Sequence, residues 1–455
     1  MKKINILVIM GMLPIITLFS CKKYLDTKSD AKLVVPGTIS DLQGIMDDAT
    51  VMNLARTPSY GENSCDDFFL PKANYDAVAE SMQDVYRWKK RPYRYPNDWS
   101  LGYLPVYNSN LCLDLLSDIA RTEKNAKDWD NVKGSALFFR SYYFFMLTVN
   151  FGLGYDPATS SADPGIILRL SSDFNVKSDR ATVKACLDRV ISDTQESISL
   201  LPETPLNQFR PSKAAAFALL SRVYLYMNDL EAAANYADKC LKIKSQLMDF
   251  NSDSDVIGLD QNIPFKRFNK ETIFYTEMYS GFGLLNTTRA KIDTGLYASY
   301  SVNDLRKRAF FRANGIYQQF KGSYSSSSTT FFSGFATDEL YLVRAEGRAW
   351  TGNLSGAMDD LNLVLKSRWK NTVSYIPVTA INIQDALAKI RVERRKELLM
   401  RNIRWGDIKR LNKIGAGIIL KRLVNNQVSE LLPNDPFYAL PLPDDIVEEA
   451  GIKQN

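Results

Sequence analysis

The sequence holds no histidine among its 455 residues. That absence excludes Ser-His-Asp triads, imidazole proton shuttles, proximal-histidine haem and histidine-containing zinc sites. Cysteine is scarce, with five residues and no C-x-x-C pair, so no thiolate metal site or thioredoxin-like couple is indicated. The carboxylates follow no EF-hand spacing, and no metal or other cofactor is expected. Beyond the first twenty residues no run reaches the roughly 18 uncharged apolar residues of a spanning helix. The nearest, Phe138 to Phe151, is interrupted by Arg140 and reads as a core helix. The G-x-S-x-G elbow, the P-loop and the Rossmann fingerprint are missing; Gly281-Phe282-Gly283 is a fragment of the last without its strand and helix. The net charge of +6, from 57 basic and 51 acidic residues, is small and interspersed, so charge gives no reason to expect a nucleic-acid partner. What is present is 45% hydrophobic and 24% charged, which excludes a disordered chain. The length favours two or more intimately packed subdomains.

The first twenty residues read as a processing signal and stand outside the fold. Lys2 and Lys3 precede an apolar stretch, Ile4 to Phe19, which is short for a membrane span and broken by Pro14. It ends Leu18-Phe19-Ser20-Cys21, which resembles a bacterial lipobox. Cys21 would then be the lipidated first residue of the mature protein, its thiol taking the diacylglyceryl group as a thioether. A plain secretory signal is the alternative; the small residue directly before the cysteine favours lipidation, with palmitate among the expected acyl chains. Cys65, Cys112, Cys186 and Cys240 remain. Export would permit disulfides, but the last three sit in helical apolar patterns, where free cysteine acts as a small hydrophobe.

Helical periodicity dominates the chain. Residues 105 to 120, 132 to 151 and 180 to 201 each carry a buried stripe, the second rich in Phe and Tyr and the third stopped by Pro202. An internal repeat follows. Pro211 to Leu241 reads as two helices broken at Asn228-Asp229, and Glu339 to Leu365 repeats it with a break at Gly352-Asn353. Ser221 and Ala233 are spaced as are Ala345 and Ala357, the small-residue logic of a tetratricopeptide hairpin. The expected fold is mainly α, a tetratricopeptide-like scaffold over about 36–56, 101–245, 336–370 and 383–411. Between these lie aromatic, Pro-, Gly- and Ser-rich insertions at about 57–100 and 250–335, where recognition is normally carried. Residues 371 to 382 and 412 to 442 are also irregular, with a β-like piece at Val373 to Val378.

These marks resemble a known family. The lipobox with Cys21-Lys22-Lys23-Tyr24-Leu25-Asp26 is similar to the opening of SusD/RagB proteins, the surface nutrient-binding lipoproteins of Bacteroidetes. Gly134 to Phe145 with its central Arg140, followed by Phe151-Gly152, is similar to the family's aromatic helix. Asn303-Asp304-Leu305-Arg306 resembles its Asp-x-Arg segment, and Tyr438 to Pro443 its closing motif. The most specific match runs from Glu393-Arg394-Arg395-Lys396-Glu397-Leu398 through Arg404-Trp405-Gly406-Asp407 to Arg410. Met400-Arg401-Asn402 departs from the family, where acidic and Gly residues are common, and residues 57 to 100 match poorly. The resemblance implies a SusD-like binding protein over 21–455 and no catalysis. It implies a place at the outer membrane, lipid-anchored and surface-exposed, and a glycan or oligosaccharide ligand. The partner it implies is a SusC-like TonB-dependent transporter, on which the protein sits as a lid.

The stretch from Arg391 to Arg410 has eight basic and three acidic residues and could be a phosphate-binding patch. Glu393 and Glu397 with basic neighbours three and four residues on instead suggest an amphipathic helix with internal salt links. The pairs Asp66-Asp67, Asp359-Asp360 and Asp444-Asp445 are adjacent, so each points apart rather than across a glycosidase cleft. The aromatic and polar segment from Trp88 to Trp99 has sugar-binding chemistry: Trp88, Tyr93, Tyr95, Asn97, Asp98 and Trp99. Rings stack on the C–H faces of sugars, while amides and carboxylates pair with hydroxyls. Trp99 with Tyr107 and Asn110 is similar to the family's Trp…Tyr…Asn segment near the ligand. Tyr279, Phe282 and Tyr297 to Tyr300 rank second, and Phe331, Phe332 and Phe335 third. Each of these rings could instead pack a loop onto the scaffold. Peptide cargo on the same machinery, as in RagB-like members, is the main alternative. A surface glycosidase and a tetratricopeptide adaptor are more distant ones.

Overall fold

Most long helices start where a short polar side chain can accept an otherwise unpaired amide hydrogen. The computed structural model describes residues 36–455; the signal segment 1–20 and Cys21 lie outside them. Thr38 caps α1 (Ile39–Asp47), Asn97 caps α2 (Asp98–Leu116), and α3 (Ala126–Phe151) follows. Thr182 caps α4 (Val183–Leu200), Ser212 caps α5 (Lys213–Tyr226) and Asp229 caps α6 (Leu230–Ile243). After α7 (Thr337–Trp350), Asn353 caps α8 (Leu354–Ser367) and Asn382 caps α9 (Ile383–Glu397). The last helices are α10 (Arg404–Lys413) and α11 (Asp444–Ala450). Against the sequence boundaries, α2 begins at Asp98 and α3 at Ala126, because capping and solvent-facing first turns carry no apolar stripe.

The helices form a stack in which each packs on its neighbours. Helix α3 packs between α2 and α4, α4 continues to α5, α5 to α6, α6 to α7, and α7 to both α8 and α9. From Gly134 to Phe151 every side chain of α3 is buried, which its all-round apolar sequence requires. The repeat is the predicted hairpin pair. The first turn carries Asn228 at φ +60° and the second Gly352 at φ +85°. Ser221 Oγ donates to the Ala233 carbonyl at 3.0 Å, and Ala233, Ala345 and Ala357 are fully packed. Close approach between hairpins falls on Gly347, where a Cβ would stand 2.3 Å from the Leu230 carbonyl oxygen.

The insertions are held by short antiparallel pairs. Thr272–Phe274 pairs with Phe335–Ala336, Phe68–Phe69 with Lys291–Ile292, and Phe311–Asn314 with Tyr317–Phe320. Buried ion pairs tie them to the scaffold. Arg368 donates to Glu271 at 2.8 Å and Glu397 at 2.9 Å, and Arg306 to Asp304, Glu393 and Glu397. Residues 38 to 455 form one compact unit with two hydrophobic clusters, the smaller gathered around α7, α8 and α9.

Two local expectations differ. Residues Val373 to Val378 form no strand; the Asn362 side chain takes the Val378 amide at 2.7 Å, leaving no ladder. The stretch Arg391 to Arg410 is two helices, not one, since Met400 at φ +57° and Asn402 at φ +61° break it. Its salt links run outward as well as along the helix: Glu393 pairs with Lys396 and with Arg306. The four remaining cysteines are free and buried.

Candidate functional site

The entry to α2 is built by a buried carboxylate. Asp98 is fully buried; its Oδ2 accepts the amides of Ser59 and Tyr60 at 2.8 and 2.9 Å, and Oδ1 accepts the Tyr93 hydroxyl. Burial pushes the Asp98 carboxyl up, against these hydrogen bonds. The Tyr93 phenol is pushed up by burial and by the Asp98 charge. Asn97 caps α2 through Oδ1, 2.8 Å from the Ser100 amide.

Along the next turns of α2, Trp99, Tyr103, Tyr107 and Asn110 face a cleft of about 690 Å³. Trp99 is its packed floor, 4.9 Å from the rings of Tyr103 and Phe151. The opposite wall is the loop from Arg169 to Ser178 with Phe174, Asn175 and Lys177; Ile446, Glu449 and Ala450 of α11 close one end. Phe174 is 79% exposed, yet its ring stacks on Tyr107 at 5.1 Å with an interplanar angle of 23°. With Tyr107 half-buried beneath the exposed Phe174 ring, the pair presents a flat apolar face beside amide and hydroxyl groups, which suits a ligand that is apolar on its faces and polar at its rim.

The loop is fixed from within. Asn110 Nδ2 donates to the Arg169 carbonyl at 2.7 Å while its Oδ1 accepts Arg140 Nη1 at 3.0 Å. Arg140 is anchored on Asp193 at 2.8 Å. Asp114 Oδ2 accepts the Ser172 amide and hydroxyl at 2.8 and 2.7 Å. The Arg169 guanidinium folds back onto the carbonyls of Asp173 and Val176 and onto Ser178 Oγ. Helix α11 is pinned to the 93–95 segment: Asp444 and Tyr93 exchange backbone and carboxylate bonds at 2.7 and 2.8 Å, and the Tyr95 amide meets Asp445 at 3.1 Å.

Of the residues singled out from sequence, the structure brings Trp99, Tyr107 and Asn110 to this cleft. Trp88 is buried elsewhere, its indole N–H on the Ser64 carbonyl at 3.0 Å and its ring near the Arg422 guanidinium. Tyr93 joins Tyr60, Phe282 and Tyr279 in a packed aromatic cluster, with Tyr60 and Phe282 4.9 Å apart; Tyr279 is half-buried there. Asn97 and Asp98 are spent on the helix entry, while Tyr95 is exposed. Tyr297 and Tyr300 pack on Phe311, and the Tyr300 hydroxyl donates to the Lys396 carbonyl at 2.8 Å. Phe331, Phe332 and Phe335 are all buried. The adjacent acidic pairs are structural. Asp66 and Asp67 bind Arg404 and Arg395, Asp360 binds Arg344 and Arg348, and Asp444-Asp445 hold the 93–95 backbone. Phe174, Asn175, Lys177 and Glu449 escaped the sequence reading. Phe174 lies in a polar stretch with no periodicity, and only its lack of a helical or strand role could have flagged it.

Among the described residues, no helix is long and apolar enough to cross a membrane. A family model described as starch-binding associating with outer membrane matches residues 23–225, and a SusD family model matches residues 323–428. No curated protein matches the sequence. Among solved structures, a SusD superfamily protein from Bacteroides thetaiotaomicron is 20% identical with a TM-score of 0.72, covering 92% of this chain and 99% of that one. A SusD superfamily protein from Bacteroides vulgatus is 20% identical with a TM-score of 0.73, covering 92% and 98%. A SusD-like carbohydrate binding protein from the same species is 18% identical with a TM-score of 0.65, covering 91% and 97%. These neighbours share the helix-rich fold described above, and the two family matches between them take in well over half of the sequence. The chain belongs to the SusD family.

Proposed function

We propose that the chain is a surface lipoprotein, anchored through Cys21, that binds a glycan or oligosaccharide in the cleft between α2 and the Arg169–Ser178 loop. It then delivers that ligand to a SusC-like TonB-dependent outer-membrane transporter. The observation that carries the binding step is the Tyr107–Phe174 stack, its Phe174 ring exposed on the rim of a cleft with Trp99 as its floor. The starch-binding and outer-membrane description of the family model supports the ligand class and the location. So does the likeness to a SusD-like carbohydrate binding protein. Delivery needs no nucleophile: a bound ligand is handed on by a shift between an open and a closed lid. Ligand contact then falls on Tyr107 and Phe174 above the packed Trp99, with Asn110 holding the loop behind them.

Peptide cargo is favoured by one observation, the charged Lys177 and Glu449 on the cleft lining. The test is retardation of the chain from residue 22 onward in native gels carrying a panel of polysaccharides, with casein peptides as the other arm. Retardation by a glycan that is lost in Tyr107→Ala supports the proposal. Binding of peptides alone would replace the glycan, and retardation that survives Tyr107→Ala would move the site.

A further inference from the structure

Away from the cleft, a dense cluster of charge is buried between α3, α5, α7, α9 and α10. Arg222 on α5 donates to Glu339 through Nε at 2.9 Å and Nη2 at 2.6 Å, and Nη2 also reaches the Gly334 carbonyl at 2.7 Å. Arg394 on α9 donates through Nε to Asp407 at 2.9 Å, and its Nη2 stands 3.7 Å from the Glu339 oxygen that Arg222 Nε uses. One carboxylate oxygen therefore lies between two guanidinium groups. Arg410 is fully engaged with Asp407 at 2.7 Å and Glu346 at 2.9 and 3.0 Å, and Arg391 joins Glu346 from the partly exposed rim at 2.8 Å. The connected cluster sets three interior guanidinium groups against three carboxylates, with Arg391 as a fourth cation on the partly exposed rim.

Within it lies a cavity of about 30 Å³, lined by Arg222, Arg394, Asp407 and Gly406 and by apolar side chains such as Phe145 and Val149. That is room for one water or one small ion. Arg222 and Arg394 are 6% and 2% exposed, and the Nη1 of each has no hydrogen-bond partner in the protein. Both oxygens of Asp407 already accept from Arg394 and Arg410. The fully buried lining side-chain atoms left without a partner are thus both donors on cations. A buried unpaired N–H is costly, the more so on a guanidinium whose charge is already withdrawn from water.

We propose that this cavity binds a single monovalent anion of halide size, chloride, held by Nη1 of Arg222 and Nη1 of Arg394. A water would satisfy the two donors, but both are cationic, and a monovalent anion accepts from a guanidinium more strongly than a neutral oxygen does. Phosphate and sulfate are too large for the space. The anion would lock α5, α9 and α10 about α3, so its effect is on the rigidity of the scaffold rather than on the ligand cleft.

The test is a crystal structure of the full mature chain grown with bromide in place of chloride, with data at the bromine edge. The expected result is an anomalous peak in the cavity, within hydrogen-bond reach of both Nη1 atoms. Ordinary light-atom density there without an anomalous peak means water and overturns the proposal. In solution, the melting midpoint should rise with chloride and saturate, against gluconate at constant ionic strength; equal midpoints overturn it. Gly406→Ala serves as the control that still folds, because its added methyl meets Val149 Cγ1 at 3.5 Å and Tyr226 Cδ2 at 3.7 Å, ordinary contact distances. The methyl takes part of the anion's space, so the chloride dependence and the bromide peak should both be lost. A chloride dependence unchanged in Gly406→Ala would place the effect elsewhere and overturn the assignment.

Discussion

Arg140 on α3 and Asn110 on α2 meet in the interior at 3.0 Å, the guanidinium donating to the amide oxygen. The other end of the same amide holds the Arg169 carbonyl at 2.7 Å, so a core helix reaches through a single side chain to the loop that carries Phe174. Replacing Asn110 by alanine leaves a buried guanidinium N–H and a loop carbonyl without partners. The expected loss is about 1–3 kcal/mol of stability. Limited proteolysis should show earlier cutting between residues 169 and 178. Wild-type urea stability together with unchanged proteolysis would deny the clamp.

Arg368 is the joint between the second insertion and the scaffold. It bonds Glu271, Glu397 and the Met248 carbonyl from a fully buried position. Arg368→Met leaves Glu271 without a cation while Glu397 keeps Arg306, and should cost about 3–5 kcal/mol, read as a lowered urea midpoint. A double variant that also carries Glu271→Gln should recover part of that loss.

Packing between hairpins is tested at Gly347. A Cβ there would stand 2.3 Å from the Leu230 carbonyl oxygen and 2.4 Å from Ala234 Cβ, both on a rigid neighbouring helix. Gly347→Ala should therefore destabilise by about 1–3 kcal/mol through overpacking, although alanine is the better helix former. A stabilised variant would show that α6 and α7 do not approach as described.

Stability should fall with rising pH through the neutral range because of Glu62. It is 1% exposed, neither carboxylate oxygen makes a close hydrogen bond, and the nearby Asn402 backbone amide only partly offsets the cost of burial. Burial, with Asp67 beside it, pushes its carboxyl up to about 8. A pKa raised on folding means stability that is present below the unfolded value and lost as pH rises through the folded one. Glu62→Gln should therefore gain on wild type by on the order of 4 kcal/mol as pH climbs from about 4.5 to 8. Asp407 acts in the opposite sense at acid pH. Against the cost of burial, Arg394 and Arg410 hold its carboxyl down to about 2, so its contribution is lost only as pH falls toward that value. Urea midpoints for both proteins between pH 4 and pH 9 separate the two; a constant difference between them would contradict the Glu62 assignment.

The hairpin scaffold was legible because its cause is local. Small residues at Ser221, Ala233, Ala345 and Ala357 and turn residues at Asn228 and Gly352 mark close helix approach within about thirty residues. The break between α9 and α10 was not legible, because Asn402 at positive φ is stabilised by its amide bond to the Pro58 carbonyl at 2.7 Å, far away in sequence. The Trp88–Trp99 segment looked like a sugar site because buried and ligand-facing aromatics share one composition. The fold decides between them: Trp88 finds Ser64 and Arg422, whereas Tyr107 is left with one face for Phe174. That pairing joins residues 67 positions apart, and no local pattern announces it.

The central claim is that the Tyr107–Phe174 pair receives the ligand. Its most direct test is calorimetric titration of wild type and Phe174→Ala with an oligosaccharide of whichever glycan retards the protein. Phe174 is exposed, so the substitution should leave the unfolding midpoint within the small range of surface changes. Losing one face of the stack should weaken binding by about tenfold, the equivalent of about 1.4 kcal/mol. An affinity equal to wild type in a folded Phe174→Ala protein would contradict the account.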